Sequence, residues 1–497
     1  LHAVWQYEKV PDNNDGGIVF MKKPNVIFLI QDQMQQRIIK EESGCIMPNL
    51  HELMKDGVVF EEARTCNAVC SPSRASLLTA TLPHVHGMVD CTHTVPPYRA
   101  DFDDSLDTVT QAFCDDGYQV SYYGKWHIER THRLEKFGIH TYETEMDIPG
   151  FPVTVYDKVT LSNPGYPEKM LCGIFKEDAT HTEEHYIYEK AMAEIEQTCQ
   201  KGAPFCTFIS TYAPHDPYCV PEEIYRLYDN CAPDLPVSFY DEMNDKPVIY
   251  RRMRNALRGL SEEDYRKAIR CYYSYCTLVD IQFGKLIKYL KDNQLYDNTM
   301  IICLSDHGDL LGAHGLMMKS VESFEEVYRI PLVLKLPGQQ FAGSSYDFYI
   351  NTYEIGPTVL ELAGCRSLKG NQTGNSMVPW MMGEKTDRHF AFSEFFGQRY
   401  SFTQRIYWED DMKYVFNAFA EDELYDLRND PHELRNLGDD PAYQEQKIKL
   451  CSGMWEQVKR TSDISLADAE YFILQIAPVG PGEREQSSEY SVYNKKF

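Results

Sequence analysis

The sequence predicts an α/β fold in which a large, mostly parallel sheet is flanked by helices and followed by a smaller C-terminal α+β subdomain. Three observations carry this. Short apolar runs rich in Val, Ile and Phe recur with polar residues closing their carboxyl ends, as buried parallel strands require. Stretches of helical character lie between them, the alternation expected of a sheet covered on both faces. From about residue 386 the pattern turns to short polar-aromatic strands and acidic turns.

In chain order, Asn25-Val-Ile-Phe-Leu-Ile30 is the first such run, closed by Gln31-Asp32-Gln33. Helices are predicted over 48–56 and 181–199, with a strand over 204–212 between the second of these and a long helix from Ser261 to about Asp292. Ser261 followed by Glu262, Glu263 and Asp264 reads as an N-cap with acidic residues in the first turn. Residues 298–307 repeat the first strand's design, 330–336 form another strand, and a helix over 353–363 stops at Gly364. The tail offers strands between Tyr407 and Phe416, an acidic turn over 426–437 and a helix near 441–459. These divisions place a large α/β unit at 21–385 and a subdomain at 386–497. Residues 1–20 precede Met21-Lys22-Lys23-Pro24, which reads as a natural start, and are treated as an extension. The polar end, 486–497, is expected to be loosely held.

The 497 residues carry 49 Lys and Arg against 75 Asp and Glu, a formal charge of −26, which argues against a nucleic-acid partner. No run approaches the roughly 18–20 apolar residues of a membrane span. The N-terminus has neither a basic n-region nor an apolar h-region, so a cytoplasmic location is expected, although a signal already removed would leave the same pattern. The 15 Cys are scattered, odd in number and free of C-x-x-C pairs, as reduced buried thiols would be.

One cysteine stands apart. In Cys70-Ser71-Pro72-Ser73-Arg74, Ser71 can cap a helix and Pro72 suits its first position. Cys70 is therefore predicted just before a helix N-terminus, where exposed amides attract an anion and lower a thiol's pKa, with Arg74 one turn along. A thiol-based phosphatase would use similar parts, but its Cys and Arg are separated by five residues and these by three.

The segment Cys70-x-Pro-Ser-Arg, followed by Leu77-Leu-Thr-Ala80 and Pro83-His84-Val85-His86-Gly87, resembles the signature of the formylglycine-dependent sulfatases. Further segments match the same pattern in order: PNVIFLIQDQ from Pro24, Gly124-Lys125-Trp126-His127, Ala213-Pro214-His215, Ser305-Asp306-His307-Gly308 with Lys319 beyond, and Glu423 to Leu437 in the tail. The resemblance spans about residues 24–460 and implies an alkaline-phosphatase-like fold. It also implies that a maturation enzyme oxidises Cys70 to formylglycine, whose hydrated aldehyde attacks sulfur and divides one difficult displacement into two easier steps. By the same resemblance Arg74 and Lys125 hold the formylglycine, His215 and Lys319 bind sulfate and assist the leaving group, and His127 is the base that reopens the aldehyde.

For the metal, the resemblance assigns Asp32, Gln33, Asp306, His307 and residue 70 to one divalent cation, which would acidify the hydroxyl and offset the sulfate's charge. Calcium is the family's ion. The sequence departs from the commonest set, which has a second Asp at the position of Gln33 and Asn at that of His307. A nitrogen donor weakens the case for calcium and admits magnesium or manganese. These pairs resemble those of choline-sulfatase-type enzymes and phosphonate monoester hydrolases, so phosphonate or phosphodiester cleavage is the alternative activity. Ala80, Thr81 and Leu82 also depart from the usual Gly and Arg-Tyr, which bears on recognition by the maturation enzyme. A protein that only binds sulfated ligands would be expected to have lost part of this set, and Cys70, Arg74, Lys125, His127, His215 and Lys319 are all present. Local field rather than net charge governs binding in a cleft, so a basic pocket within an acidic surface is expected, taking a small-molecule or glycan sulfate ester. Tyr-, Pro- and Asp-rich insertions at 128–180, 219–260 and 365–400 are placed to form its rim.

Overall fold

The computed structural model describes residues 23–162, 168–230, 233–370, 373–398, 402–418 and 420–467. The extension at 1–20 and the polar end at 486–497 lie outside them.

Asn25–Gln31 forms the centre of an eight-stranded sheet. Its order is Ser344–Tyr346, Val58–Phe60, Leu332–Lys335, Thr299–Ser305, Asn25–Gln31, Phe205–Thr211, Gln119–Gly124, Thr141–Thr144. Five of the seven pairings are parallel. The strand predicted over 330–336 runs antiparallel to both neighbours, because no helix crosses the sheet between Ser305 and Leu332 to reverse the chain. Alternation along the central strand explains its unbroken apolar character. Val26, Phe28 and Ile30 face one core with the helices Cys70–Thr79, Val109–Asp115 and Thr352–Leu362. Ile27 and Leu29 face the other, with Pro48–Asp56, Glu183–Gln200 and Glu262–Asp292. Ser261 caps the last of these in a reciprocal capping box with Asp264.

The four-stranded antiparallel sheet of the tail comprises Phe390–Phe395, Gln404–Glu409, Met412–Asn417 and Glu423–Asp426. The helix Gln444–Arg460 packs on it through Leu450, Met454, Trp455 and Val458, in a core that also takes in Cys66, Leu82 and Tyr353 of the larger unit. The cysteines among the described residues are free thiols. No described helix is long and apolar enough to cross a membrane.

Candidate active site

Register places the site. Gln31 pairs with Ser305 on one side and Thr211 on the other, and Gly124 pairs with Ser210, so four parallel strands end on one edge. Asp32, Asp306, Lys125 and the segment leading to His215 all leave from that edge, where open parallel sheets bind ligands. Gly124 is required there: its φ is +102° and a Cβ would lie 1.9 Å from the Ser210 carbonyl oxygen.

The helix carrying Cys70 starts two residues earlier than expected. It runs Cys70–Thr79 with Val69 at the N-cap position, so Ser71 does not cap it and Pro72 is not its first residue. The Ser71 hydroxyl is taken by the amide of Thr92 at 3.1 Å, while Asn67 Oδ1 accepts from the Val69 amide at 2.9 Å. Cys70 thus lies inside the first turn, buried. Its thiol pKa is pushed up to about 12 by burial, with Asp306 adding to the rise against the opposing Lys319 and Arg74 charges. The expected lowering by the helix end does not occur, because the loss of water, with Asp306 beside it, outweighs the dipole.

Around Cys70 Sγ stand His307 Nε2 at 3.2 Å and Asp32 Oδ1 at 3.6 Å. Donor atoms of Asp32, Cys70, Asp306 and His307 all lie within 4.8 Å of one another, and all four residues are buried. The chemistry of this set fits a divalent cation. His307 Nδ1 faces the Gly308 carbonyl at 2.9 Å, which accepts only, so the proton sits on Nδ1 and the Nε2 lone pair points into the cluster. Burial, against the pull of Asp306, takes His307 down to about 3, so it is neutral and able to ligate. Burial would raise the Asp306 carboxyl, but Arg74, His307 and Lys125 hold it well below the usual range, and it is ionised. Two amides, those of Gln33 at 3.1 Å and His307 at 2.9 Å, also converge on Asp306 Oδ1. Gln33 makes its bond from a left-handed backbone, φ 70°.

Arg74 joins the strand ends. Its Nε donates to Asp306 Oδ2 at 2.7 Å, its Nη1 donates to Ser210 Oγ at 2.7 Å and to the Lys125 carbonyl at 2.9 Å, and its buried Nη2 has no hydrogen-bond partner. Lys125 Nζ contacts Asp32 Oδ2, and burial lowers its pKa to about 7. Lys319 Nζ contacts both His215 Nε2 and Gln33 Oε1. Burial works against its charge, yet Cys70, Asp216 and Asp306 raise its pKa and keep it protonated. The Gln33 amide nitrogen donates to Asp309 Oδ2 at 2.5 Å, so both ends of that side chain are committed, and its oxygen faces Lys319. His215 Nδ1 lies 2.7 Å from the Asp216 carbonyl, which turns its Nε2 toward Lys319. Burial and the Lys319 charge hold His215 well below its usual pKa.

His127 follows Lys125 by two residues and takes a left-handed conformation, φ 51°. Its Nε2 is 3.4 Å from Cys91 Sγ and its Nδ1 is buried without a partner. Burial, then the charge of Lys125, keep it neutral. Sequence reasoning missed several residues that position these groups. Asp309 accepts from Gln33, from Tyr218 Oη at 2.6 Å and from the Met318 amide at 2.9 Å. Glu145 takes the Trp126 amide at 2.6 Å and the His127 amide at 3.2 Å. Asp309 stands three residues beyond Asp306, a spacing that could have drawn notice, whereas Glu145 lies in an insertion and carried no local signal.

The sulfatase family matches residues 24–365, and the C-terminal model of N-sulphoglucosamine sulphohydrolase matches residues 312–460. The uncharacterized sulfatase YidJ of Escherichia coli is 28% identical over 455 residues, covering 89% of this chain and 88% of its own. A choline-sulfatase of Rhizobium meliloti is 25% identical over 444 residues, covering 84% of this chain and 83% of its own. The structure of a phosphonate monoester hydrolase from Silicibacter pomeroyi shares the fold with a TM-score of 0.75 at 22% identity, over 89% of this chain and 97% of that one. With its central strand, its Cys70 helix and its Asp306 edge all inside the matched span, this chain belongs to the sulfatase family, hydrolases of sulfuric esters.

Proposed function

We propose that this protein hydrolyses a sulfate monoester through a nucleophile derived from Cys70 with the help of one divalent cation. The observation that carries the reading is the meeting at Cys70 of two carboxylates and one imidazole lone pair, with Arg74 and Lys125 bonded to those carboxylates and Lys319 close by. Oxidised to formylglycine, residue 70 would supply a hydrated aldehyde whose hydroxyl attacks sulfur. A cation held by Asp32, Asp306, His307 and residue 70 would acidify that hydroxyl. Calcium is implied by family, and the imidazole donor admits magnesium or manganese.

The remaining work falls to this chain's own side chains. Arg74 and Lys125 fix the Asp306 and Asp32 carboxylates and present positive charge beside residue 70. Lys319, protonated, neutralises non-bridging oxygens as charge builds on them in the transition state. Lys319 Nζ carries the proton in its contact with His215 Nε2 and can pass it, directly or through that nitrogen, to the leaving alcohol oxygen. His127, held neutral, accepts a proton when the aldehyde is restored.

The imidazole at 307 and the carboxamide at 33 support phosphonate or phosphodiester cleavage as a second reading, since neither matches the commonest sulfatase set. Assays of one preparation on an aryl sulfate, a phosphonate monoester and a phosphodiester decide between them, with Cys70→Ala as control. Preferred sulfate release that vanishes in Cys70→Ala is expected. Faster turnover of the phosphorus esters would favour the second reading, and activity retained in Cys70→Ala would overturn both.

A further inference from the structure

A second group of potential ligands lies beside His127, and of its members only Glu145 enters the site above, as the acceptor of the Trp126 and His127 amides. His93, His132 and Glu145 bring one donor atom each within 4.8 Å of the others. His93 Nε2 is 3.7 Å from Glu145 Oε1, and the His93 ring centroid is 5.5 Å from that of His132 and 4.7 Å from that of His127. Among the described residues no lysine or arginine forms an ion pair with Glu145; its strong partners are the Trp126 and His127 amides. One ring nitrogen of this group, His132 Nδ1, is buried and lacks any hydrogen-bond partner, as does Nδ1 of the adjacent His127. Buried polar atoms are normally paired, so the orphan His132 nitrogen beside the Glu145 carboxylate calls for a ligand that satisfies it.

The three segments are also held in place. Arg130 Nη2 donates to the carbonyls of Val95 at 2.9 Å and Ala100 at 2.8 Å, and its Nη1 contacts the Thr92 carbonyl, which fixes the turn carrying His93. The Thr92 amide is tied to Ser71 of the Cys70 helix. Glu129 accepts the amides of Thr131 and His132 at 2.7 Å each, and His132 itself sits at φ 51°. Glu145 is held by two amides directly after the strand Thr141–Thr144. Three ligands from three braced segments, presented at a partly exposed surface, form a prearranged site rather than a chance meeting of mobile side chains.

We propose that His93, His132 and Glu145 form a second metal site, distinct from the cluster at Asp32, that binds a zinc-class divalent ion. Two imidazoles and one carboxylate are the donors of open three-ligand zinc sites, in which a fourth position is left to water or another ligand. Hard ions such as calcium and magnesium prefer all-oxygen shells and would be taken poorly here, whereas imidazole suits zinc, copper and nickel. Because Glu145 also holds the amides of Trp126 and His127, an ion there is coupled mechanically to the flank of the catalytic cleft.

Cobalt(II) and zinc(II) binding to the full-length protein tests this without reference to turnover. The chelator-treated protein is titrated with cobalt in excess magnesium, and visible ligand-field bands are recorded with zinc displacement as a second reading. The protein is expressed without a formylglycine-generating enzyme, so that residue 70 is a thiol and cobalt beside its thiolate announces itself by near-ultraviolet charge transfer, which separates the two centres. The account expects one equivalent lacking that charge transfer, with affinity reduced at least tenfold in His93→Ala and again in His132→Ala. His93 is exposed, so its removal leaves the fold intact, and circular dichroism confirms this for both variants. Absence of that equivalent, or its persistence at unchanged affinity in both folded variants, would overturn the proposal. Neither result depends on whether residue 70 is the nucleophile.

Discussion

Replacing Arg74 by Lys keeps a positive charge at the centre of the site and removes its geometry. The guanidinium makes three hydrogen bonds, to Asp306 Oδ2, Ser210 Oγ and the Lys125 carbonyl, all between 2.7 and 2.9 Å. A lysine ammonium on a different stem can reproduce one of them, because the planar fork is what reaches all three. Hydrogen bonds involving a charged group contribute about 1.5–3 kcal/mol each, so the loss of two amounts to about 3–6 kcal/mol. If roughly half of this is expressed in the transition state, kcat/KM falls by about 10–100-fold at 1.36 kcal/mol per decade. The remainder lowers stability, since Asp306 keeps its charge in a buried place with one strong partner gone. The assay is kcat/KM on an aryl sulfate, comparing Arg74→Lys with the parent at equal formylglycine content, together with calorimetric Tm. A variant within threefold of the parent and with unchanged Tm would refute the view that Arg74 joins the strand ends into one site.

Other perturbations follow from the same contacts. Gly124→Ala puts a Cβ 1.9 Å from a backbone oxygen at φ +102°, and is expected to destabilise by about 2 kcal/mol or more, read by denaturant melts; an unchanged midpoint would count against the close approach of the two strands. Arg405 and Asp463 form a fully buried ion pair at 2.6 Å, so Asp463→Ala should cost about 3–5 kcal/mol while the double replacement Arg405→Met, Asp463→Leu costs much less; equal losses would argue against an isolated pair. His84 offers a pH test. Its Nδ1 meets Glu394 Oε1 at 2.7 Å and its Nε2 meets the Thr461 carbonyl at 2.9 Å, two acceptors that require an imidazolium. Burial opposes the charge, but Glu394 prevails and the pKa is raised. The stabilisation is therefore fully present below the unfolded value of about 6.5 and is lost as pH rises through the higher folded value. Tm should fall over that interval in the parent and much less in Glu394→Gln; parallel profiles would contradict the assignment.

What the sequence made legible follows from the physics of each element. The central strand and Thr299–Ser305 were readable because both faces are buried, which demands continuous apolar residues. The helix Glu262–Asp292 announced its start through Ser261 and Asp264, a local signal. Val58–Phe60 and Ser344–Tyr346 were not readable, since three residues carry no period. The direction of Leu332–Lys335 was hidden as well: a buried strand looks the same in either orientation, and only its connection settles the matter. At the site, the residues named from their motifs occupy one strand edge, but their contacts lay beyond sequence reasoning. Nothing in Gln31-Asp32-Gln33 reveals that Gln33 adopts φ 70° to reach Asp306 with its amide or that its side chain bridges Lys319 and Asp309. The thiol of Cys70 was misjudged because a helix end is visible in sequence and the burial that overrides it is not.

The central claim is that residue 70, once oxidised, is the group that attacks the substrate. Preparations expressed with graded amounts of a formylglycine-generating enzyme can be assayed on an aryl sulfate while peptide mass spectrometry measures conversion at position 70. Turnover proportional to the converted fraction, passing through zero at zero conversion, is expected. Turnover independent of that fraction, or none in a fully converted preparation supplied with divalent cations, would contradict it.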